Sequence, residues 1–391
     1  MDLFFPTITF IIFAISVDLG LNNMQTLNVN FSSHCQKFKT LLCDLGLDGF
    51  LLRNFEGNNN NVYYLSGFSG TTGVLLITKD GQFLITDARY WTRASLEAPS
   101  FTLVKLERGQ KMIDAINATL VMANLGAESK IGFESHQLSF ELANIYLKEI
   151  KASLLPVANL VEQLRQYKTP EEIDLIKQAC DVTCEVFAQV AKLIEPGLRE
   201  DEIAFELDTR LRKHGAIANS FPSIVASGVN SAVPHHKTST RVVKAGEPVI
   251  LDFGGLFPGG YCSDLTRTVF VPGASPNPKM VEIYKIVLEA NRQAAKALKP
   301  GITWANYDKV ARDYIVSRGY GEYFTHGLGH SVGLLVHDPF DYEKFTFEEG
   351  TVVTNEPGIY VEGLGGVRIE DDMVVTANGS VSLTLAPYLV F

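Results

Sequence analysis

The sequence predicts an α+β chain of two domains: a smaller α/β domain, then a larger one built from two similar αα–β halves. Three observations carry this. The 391 residues suffice for two domains of ordinary size. Between about Phe31 and Val157, helical and strand-like stretches alternate as in an α/β unit. Past a restart near Thr169, landmarks recur at one fixed offset of 104 residues.

The first 23 residues are an apolar extension. Within them "FFPTITFIIFAISV" (4–17) is uncharged and 14 residues long, short of the about 20 needed to span a bilayer. Ala14 and Ser16 sit as in a signal cleavage site, yet no Lys or Arg precedes Lys37, so the basic n-region is missing. The run reads as a tail or as a start-site artefact with translation beginning at Met24; a signal or anchor is the alternative.

Residues 24–160 form the α/β domain. "CQKFKTLLCDLGLDGFLL" reads as a helix ending near Gly46 and a strand entering at Phe50. "GVLLITKDGQFLIT" (73–86) is a hairpin turning through Asp80-Gly81. Strands are expected at 131–134 and 152–157, with a helix near 139–150 between them.

Residues 161–391 form the larger domain. Its first helix announces itself in "YKTPEEIDLIKQA": Thr169 caps, Pro170 takes the first helical position and Glu172 completes a capping box. Pro196-Gly197 recurs as Pro300-Gly301, and the helices that follow end at Gly215 and Gly319. The same offset lays "AGEPVILDFGG" (245–255) on "EGTVVTNEPGI" (349–359), with Asp252 opposite Glu356. Four landmarks at one offset, far longer than a solenoid repeat, indicate two halves paired around one core.

Composition narrows the function. Hydrophobic content of 46% with 20% charged residues is that of a soluble globular protein. A net charge of −10 with no Lys/Arg run argues against nucleic acid as a partner, and no membrane partner is expected. Five cysteines, without CxxC spacing, give neither a disulfide framework nor a thiolate zinc site, which suits reduced thiols in the cytoplasm. Cys180 and Cys184, at i and i+4, read as helix core. His34, His136 and His214 read as surface or helix residues.

The acids in apolar strand contexts are Asp252, Asp264, Glu356 and Glu370, two from each half. Desolvating an unpaired carboxylate costs several kcal/mol, and converging carboxylates repel one another unless cations neutralise them. A metal centre is the economical reading. "HGLGHSVGLLVHD" (326–338) holds three of the chain's eight histidines, and His330 supplies a nitrogen ligand. Oxygen-rich ligation with one imidazole favours Mn²⁺, Co²⁺, Fe²⁺ or Zn²⁺. Two bridging carboxylates would hold two such ions about 3.5–4 Å apart.

The motifs "SGVNSAVPHH", "VILDFGGLFPGGYCSDLTRTV", "HGLGHSVGLLVHD", "NEPGIY" and "GVRIEDD" resemble, in order, those of the pita-bread metallopeptidases. Within that family the similarity is to the Xaa-Pro dipeptidases (prolidases) and Xaa-Pro aminopeptidases. It extends into the first domain through "GFSGTTGVLLIT" and "TDARY" and leaves out residues 1–23. The resemblance implies the metal ligands Asp252, Asp264, His330, Glu356 and Glu370, with Asp264 and Glu370 bridging and manganese as the first expectation. It implies metal-assisted hydrolysis of the bond before proline, in dipeptides or at the N-terminus of longer peptides. Glu356 would move the proton, His235 would stabilise the oxyanion and His337 would stand with them. His326, Tyr360 and Arg368 would line the substrate side. His236, next to His235, should face away from it. A homodimer is implied too. Three alternatives stay open: a metal-free creatinase-type hydrolase, a methionine aminopeptidase and a non-catalytic peptide-binding module. The ligand set and the large first domain weigh against them.

Overall fold

Asn30 opens the first helix, α1 (Phe31–Asp44), by accepting from the Ser33 N–H, and Gly46 closes it at φ +64°. The computed structural model describes residues 29–389 other than 58, 340 and 343, so the apolar run at 4–17 lies outside the described residues. Two units divide between Arg165 and Gln166.

The first unit is a six-stranded mixed sheet. Its strands are β1 (Gly49–Phe55), β2 (Thr72–Thr78), β3 (Gln82–Asp87), β4 (Thr102–Leu106), β5 (Lys130–Glu134) and β6 (Ser153–Val157), in the order β4-β3-β2-β1-β5-β6. The expected hairpin is β2–β3, paired antiparallel from Val74 with Ile85 to Ile77 with Gln82. The connections carry α2 (Asn60–Ser66), α3 (Trp91–Glu97), α4 (Met112–Met122) and α5 (Phe140–Glu149), and α6 (Leu160–Arg165) ends the unit. Its core gathers Leu51, Val74, Leu76, Ile85, Ile116 and Ile131, all 3% exposed or less. His34 lies in α1 as expected of a helix residue, but it faces inward: Nδ1–H donates to the Tyr64 carbonyl (3.0 Å) and the ring stacks on Tyr64 at 4.1 Å.

The second unit begins at α7 (Pro170–Val190), where the expected capping box between Thr169 and Glu172 is formed. Then follow α8 (Glu200–Lys213), β7 (Ala218–Asn219), β8 (Ile224–Ser227), β9 (Pro248–Phe253), β10 (Gly255–Leu256) and β11 (Leu265–Phe270). The second half has α9 (Pro278–Ala297), α10 (Trp304–Ser317), β12 (Val352–Asn355), β13 (Gly358–Val361), β14 (Gly365–Arg368), β15 (Asp371–Thr376) and β16 (Gly379–Ser382).

The offset of 104 holds in three dimensions. Arg199 bridges Val242 as Thr303 bridges Thr346, and Ser227 pairs Val249 as Ser331 pairs Val353. The Gly197 N–H donates to the Val243 carbonyl (3.1 Å), and the Gly301 N–H to the Phe347 carbonyl (2.8 Å). All four landmark glycines, 197, 215, 301 and 319, sit at positive φ between 82° and 104°, the region where a side chain would be strained. Each half buries its helices against its own strands. One core is built around Val186, Leu207, Leu211, Val225, Leu251 and Phe253, the other around Ile283, Val287, Tyr307, Val353, Ile359 and Ile369. Among the described residues no helix is long and apolar enough to cross a membrane.

Candidate metal centre

Strand ends aim the acids. Asp252 is near the end of β9, Asp264 just before β11, Glu356 just after β12 and Glu370 just before β15. His330 comes from the glycine-rich loop, held by its N–H donating to Thr354 Oγ1 (2.9 Å) and its carbonyl accepting from the Thr354 N–H (2.8 Å). Gly329 allows that approach: a Cβ there would meet the Thr354 carbonyl at 2.4 Å.

Donor atoms of Asp264, His330 and Glu370 lie within 4.8 Å of one another. His330 Nε2 is 3.5 Å from Asp264 Oδ2 and 3.4 Å from Glu356 Oε1. Asp252 joins through Arg368, whose Nη2 donates to Asp252 Oδ2 (2.5 Å) while its Nε donates to Thr266 Oγ1 (3.1 Å). Thr266 in turn donates to Glu370 Oε2 (2.7 Å). All five predicted ligands therefore share one site.

Their electrostatics call for a cation. Burial, followed by mutual repulsion, pushes Asp264 and Glu370 well above the carboxylate range. Glu356 is raised as well, by burial first, with Arg368 pulling the other way. Asp264 Oδ1 is buried without a hydrogen-bond partner among the described residues, a costly state for a carboxylate oxygen unless an ion takes it. His330 Nδ1 faces the Ser331 carbonyl (3.3 Å). A carbonyl only accepts, so Nδ1 carries the proton and the Nε2 lone pair points to the acids, the tautomer a metal ligand needs. Burial, then His337, pushes the ring down to about 3, keeping it neutral. These residues fit a pair of divalent ions.

A second cluster, Glu134, His136 and Glu162, lies in the first unit. There each acid already has side-chain donors, although Glu162 Oε2 is buried without a hydrogen-bond partner among the described residues. Asn61 Nδ2 reaches Glu134 (2.6 Å) and Glu162 (2.7 Å), Asn59 reaches Glu134 (2.5 Å), and His136 Nε2 lies 2.9 Å from Glu162.

The other predicted residues stand at the same centre in two groups. Arg368 Nη1 donates to the Tyr360 hydroxyl (2.9 Å), which meets His326 Nε2 (2.8 Å). His326 Nδ1–H donates to the Gly327 carbonyl (2.8 Å), so Nε2 accepts from Tyr360. Both His326 nitrogens are thus engaged within the protein, and the ring is half-buried between Phe324 and Tyr360. His337 and His235 are exposed, and the His337 ring lies 4.0 Å from that of His330. His235 is near enough to help depress His326 and His337, in each case behind burial. His236 turns away to Glu200 Oε2 (2.9 Å).

Sequence reasoning missed the supports. Thr266 ties Glu370 to Arg368, and Thr268 Oγ1 donates to the Arg368 carbonyl (2.9 Å). The signal was there: 264, 266 and 268 are alternate polar residues in an apolar strand context, so they share a face. Asp372, which accepts from the Asp264 N–H (3.0 Å), and Arg267, which pairs with Asp371 (2.7 Å), carry no such local mark.

Comparison with known proteins places this geometry. Residues 174–377 match metallopeptidase family M24, and residues 34–167 match the creatinase/prolidase N-terminal domain. The chain is 38% identical over 330 residues to the Xaa-Pro dipeptidase of Pyrococcus horikoshii, covering 83% of this chain and 90% of that one. Among solved structures, the Xaa-Pro dipeptidase from Bacillus anthracis superposes with a TM-score of 0.85 at 38% identity, over 92% of this chain and 99% of that one. The X-Pro aminopeptidase from Thermotoga maritima gives 0.84 at 36%, over 91% and 99%.

Proposed function

The chain belongs to metallopeptidase family M24, and on that premise we propose that it hydrolyses the peptide bond preceding proline with two divalent ions held by Asp252, Asp264, His330, Glu356 and Glu370. Its duplicated unit is the pita-bread fold, preceded by the smaller α/β domain. The observation that carries the proposal is the convergence of four acids and one neutral imidazole, with a buried Asp264 oxygen that has no donor among the described residues.

Bound ions would neutralise the acids, polarise the scissile carbonyl and lower the pKa of the attacking water. Everything else falls to side chains. Glu356 lies 3.4 Å from His330 and accepts from Thr354 Oγ1 (3.1 Å). Its carboxylate, beside the imidazole and held by that hydroxyl, is placed to take a proton from water and return it to the leaving nitrogen. His235 and His337 stand exposed at the rim, where an imidazole N–H can donate to the developing oxyanion. The series Asp252, Arg368, Tyr360 and His326 forms a rigid wall that orients the substrate.

Proline at the second position of small peptides as the substrate mark is supported by the relatives named Xaa-Pro dipeptidase and X-Pro aminopeptidase. Manganese is proposed as the native ion, with cobalt, zinc or iron as the alternatives, from the oxygen-rich donor set. A homodimer is proposed on the family resemblance, and a cytoplasmic location on the five free thiols. The test is to assay the purified protein with Mn²⁺ on Ala-Pro and on a longer Xaa-Pro peptide. Cleavage before proline that stops on chelation and returns with Mn²⁺ is expected. Absence of cleavage in Mn²⁺-loaded protein, or full activity in metal-free protein, refutes the proposal.

A further inference from the structure

Asn291 has no place in the mechanism above, yet it sits behind two of the acids. It lies in α9, where Ile283, Tyr284, Val287, Ala290 and Ala294 form the apolar stripe facing the second core. At 2% exposure it takes a position in that stripe where an apolar residue would pack as readily. Asn is also an indifferent helix former, because its amide competes for backbone partners.

Its amide nitrogen faces three acceptors. Nδ2 donates to the Asn355 carbonyl (2.9 Å), and the Ile369 carbonyl (3.4 Å) and Asp371 Oδ2 (3.2 Å) lie within its reach. Asn355 returns the contact, its own Nδ2 donating to the Asn291 carbonyl (2.8 Å). Asn355 and Ile369 are the residues immediately before Glu356 and Glu370. The ladder between β12 and β15 ends at the pair Asn355–Asp371. Pairing resumes in the same register at Gly358–Arg368, between β13 and β14; in the gap, a long bond runs from the Ile369 N–H to the Pro357 carbonyl (3.4 Å). The acids therefore project from an interruption in the ladder, where their own N–H groups bond elsewhere, Glu356 to the Leu328 carbonyl (2.9 Å) and Glu370 to the Thr266 carbonyl (3.0 Å).

We propose that Asn291 is a positioning residue that clasps the backbone carbonyls before Glu356 and Glu370 and so fixes the separation of those two carboxylates for metal. The inference rests on the metal reading of the site. A two-ion centre tolerates little movement of its ligands, and a buried amide shared between two strands holds them without touching the ions.

The experiment is calorimetric titration of Mn²⁺ into chelator-treated full-length protein, comparing wild type, Asn291→Leu and Val287→Ala. Leucine preserves volume and removes the donors. Val287 is one turn away on the same helix and fully buried, so its truncation lowers stability without reaching the clasp. Asn291→Leu should bind Mn²⁺ about 10–100-fold more weakly, with kcat reduced and KM within twofold. Val287→Ala should lose thermal stability and bind Mn²⁺ as wild type does. Wild-type affinity in Asn291→Leu, or an equal loss in Val287→Ala, overturns the inference. Failure of wild type itself to bind Mn²⁺ instead overturns the metal reading beneath it. If the leucine variant does not fold, Asn291→Ser, which cannot span both carbonyls, is titrated in its place with the same expectation.

Discussion

His326 offers the most direct check on the electrostatics of the site, because its ring is locked in one neutral tautomer without ligating metal. Burial, then the positive charges of Arg368, His235 and Arg312, push it from 6.5 down to about 4, against the favourable Gly327 carbonyl. Between these values the folded state binds fewer protons than the unfolded state. The stability His326 contributes is therefore fully present above pH 6.5 and is lost as pH falls towards 4. At about 1.4 kcal/mol per pH unit, the loss between pH 7 and 4.5 comes to about 2.5 kcal/mol. His326→Gln removes the titrating group. Urea unfolding of metal-free wild type and variant, in half-unit steps over that range, should show the stability difference shifting by that amount in favour of the variant. Subtraction cancels the carboxylates common to both proteins. A difference independent of pH, or one that moves in favour of wild type on acidification, would refute the assigned environment. The same environment predicts that replacing His326 leaves the shape of the kcat profile between pH 6 and 8 unchanged.

Four further outcomes follow from the geometry. Asp264→Asn should abolish metal uptake and turnover, while Cys262→Ala, two positions away, should retain both; equal behaviour in a metal-content assay contradicts the ligand assignment. Thr266→Val leaves the Glu370 carboxylate and the Arg368 guanidinium each short of a partner, so Mn²⁺ affinity or turnover should fall about 10–100-fold, whereas an unchanged titration dismisses the tie. In Gly329→Ala the new Cβ would sit 2.3 Å from Thr354 Oγ1 and 2.4 Å from its carbonyl; the His330 loop must move, and both Tm and metal affinity should drop. His235→Ala should keep its ions but lose about 10²–10³ in turnover, the typical cost of one oxyanion donor; metal loss would make His235 a ligand, and full activity would make it a bystander.

The parts of this molecule legible in its sequence are those whose cause is local. Thr169, Pro170 and Glu172 specify a helix start by themselves, and Asp80-Gly81 specifies a turn. Strand parity predicts that His236 faces away from His235; the pair lies in a turn and not a strand, and it is the contact with Glu200 that turns His236 aside. What stayed hidden depends on partners far along the chain. In "GVRIEDD" three acids stand together, yet only contacts sort them: Glu370 takes Thr266, Asp371 takes Arg267 and Asp372 takes the Asp264 N–H, each from about a hundred residues away. The tautomer of His326 is illegible for another reason: the Gly327 carbonyl that fixes it is the next residue, but only the folded loop turns that carbonyl to Nδ1 and brings the Tyr360 hydroxyl to Nε2.

The duplication explains why the two ends of the site differ. Exchanging residues 104 apart turns Thr266 into Glu370, and these two touch each other. The same exchange turns the contact of Asp264 with Asp372 into that of Arg368 with Thr268. Counterparts that touch, flanked by contacts that swap, place an approximate twofold axis between Thr266 and Glu370, at the centre of the cluster. A strictly repeated sequence would put identical groups on both sides of it. Asp252 and Glu356 keep that likeness, but His330 corresponds to Ala226 and Arg368 to Asp264. One side of the axis thus offers an imidazole lone pair, and the other a guanidinium that grips Asp252 and Tyr360. A peptide is directional, with an amino end and a carbonyl to be told apart. Divergence at these few positions gives a nearly symmetric frame the polarity to tell them apart.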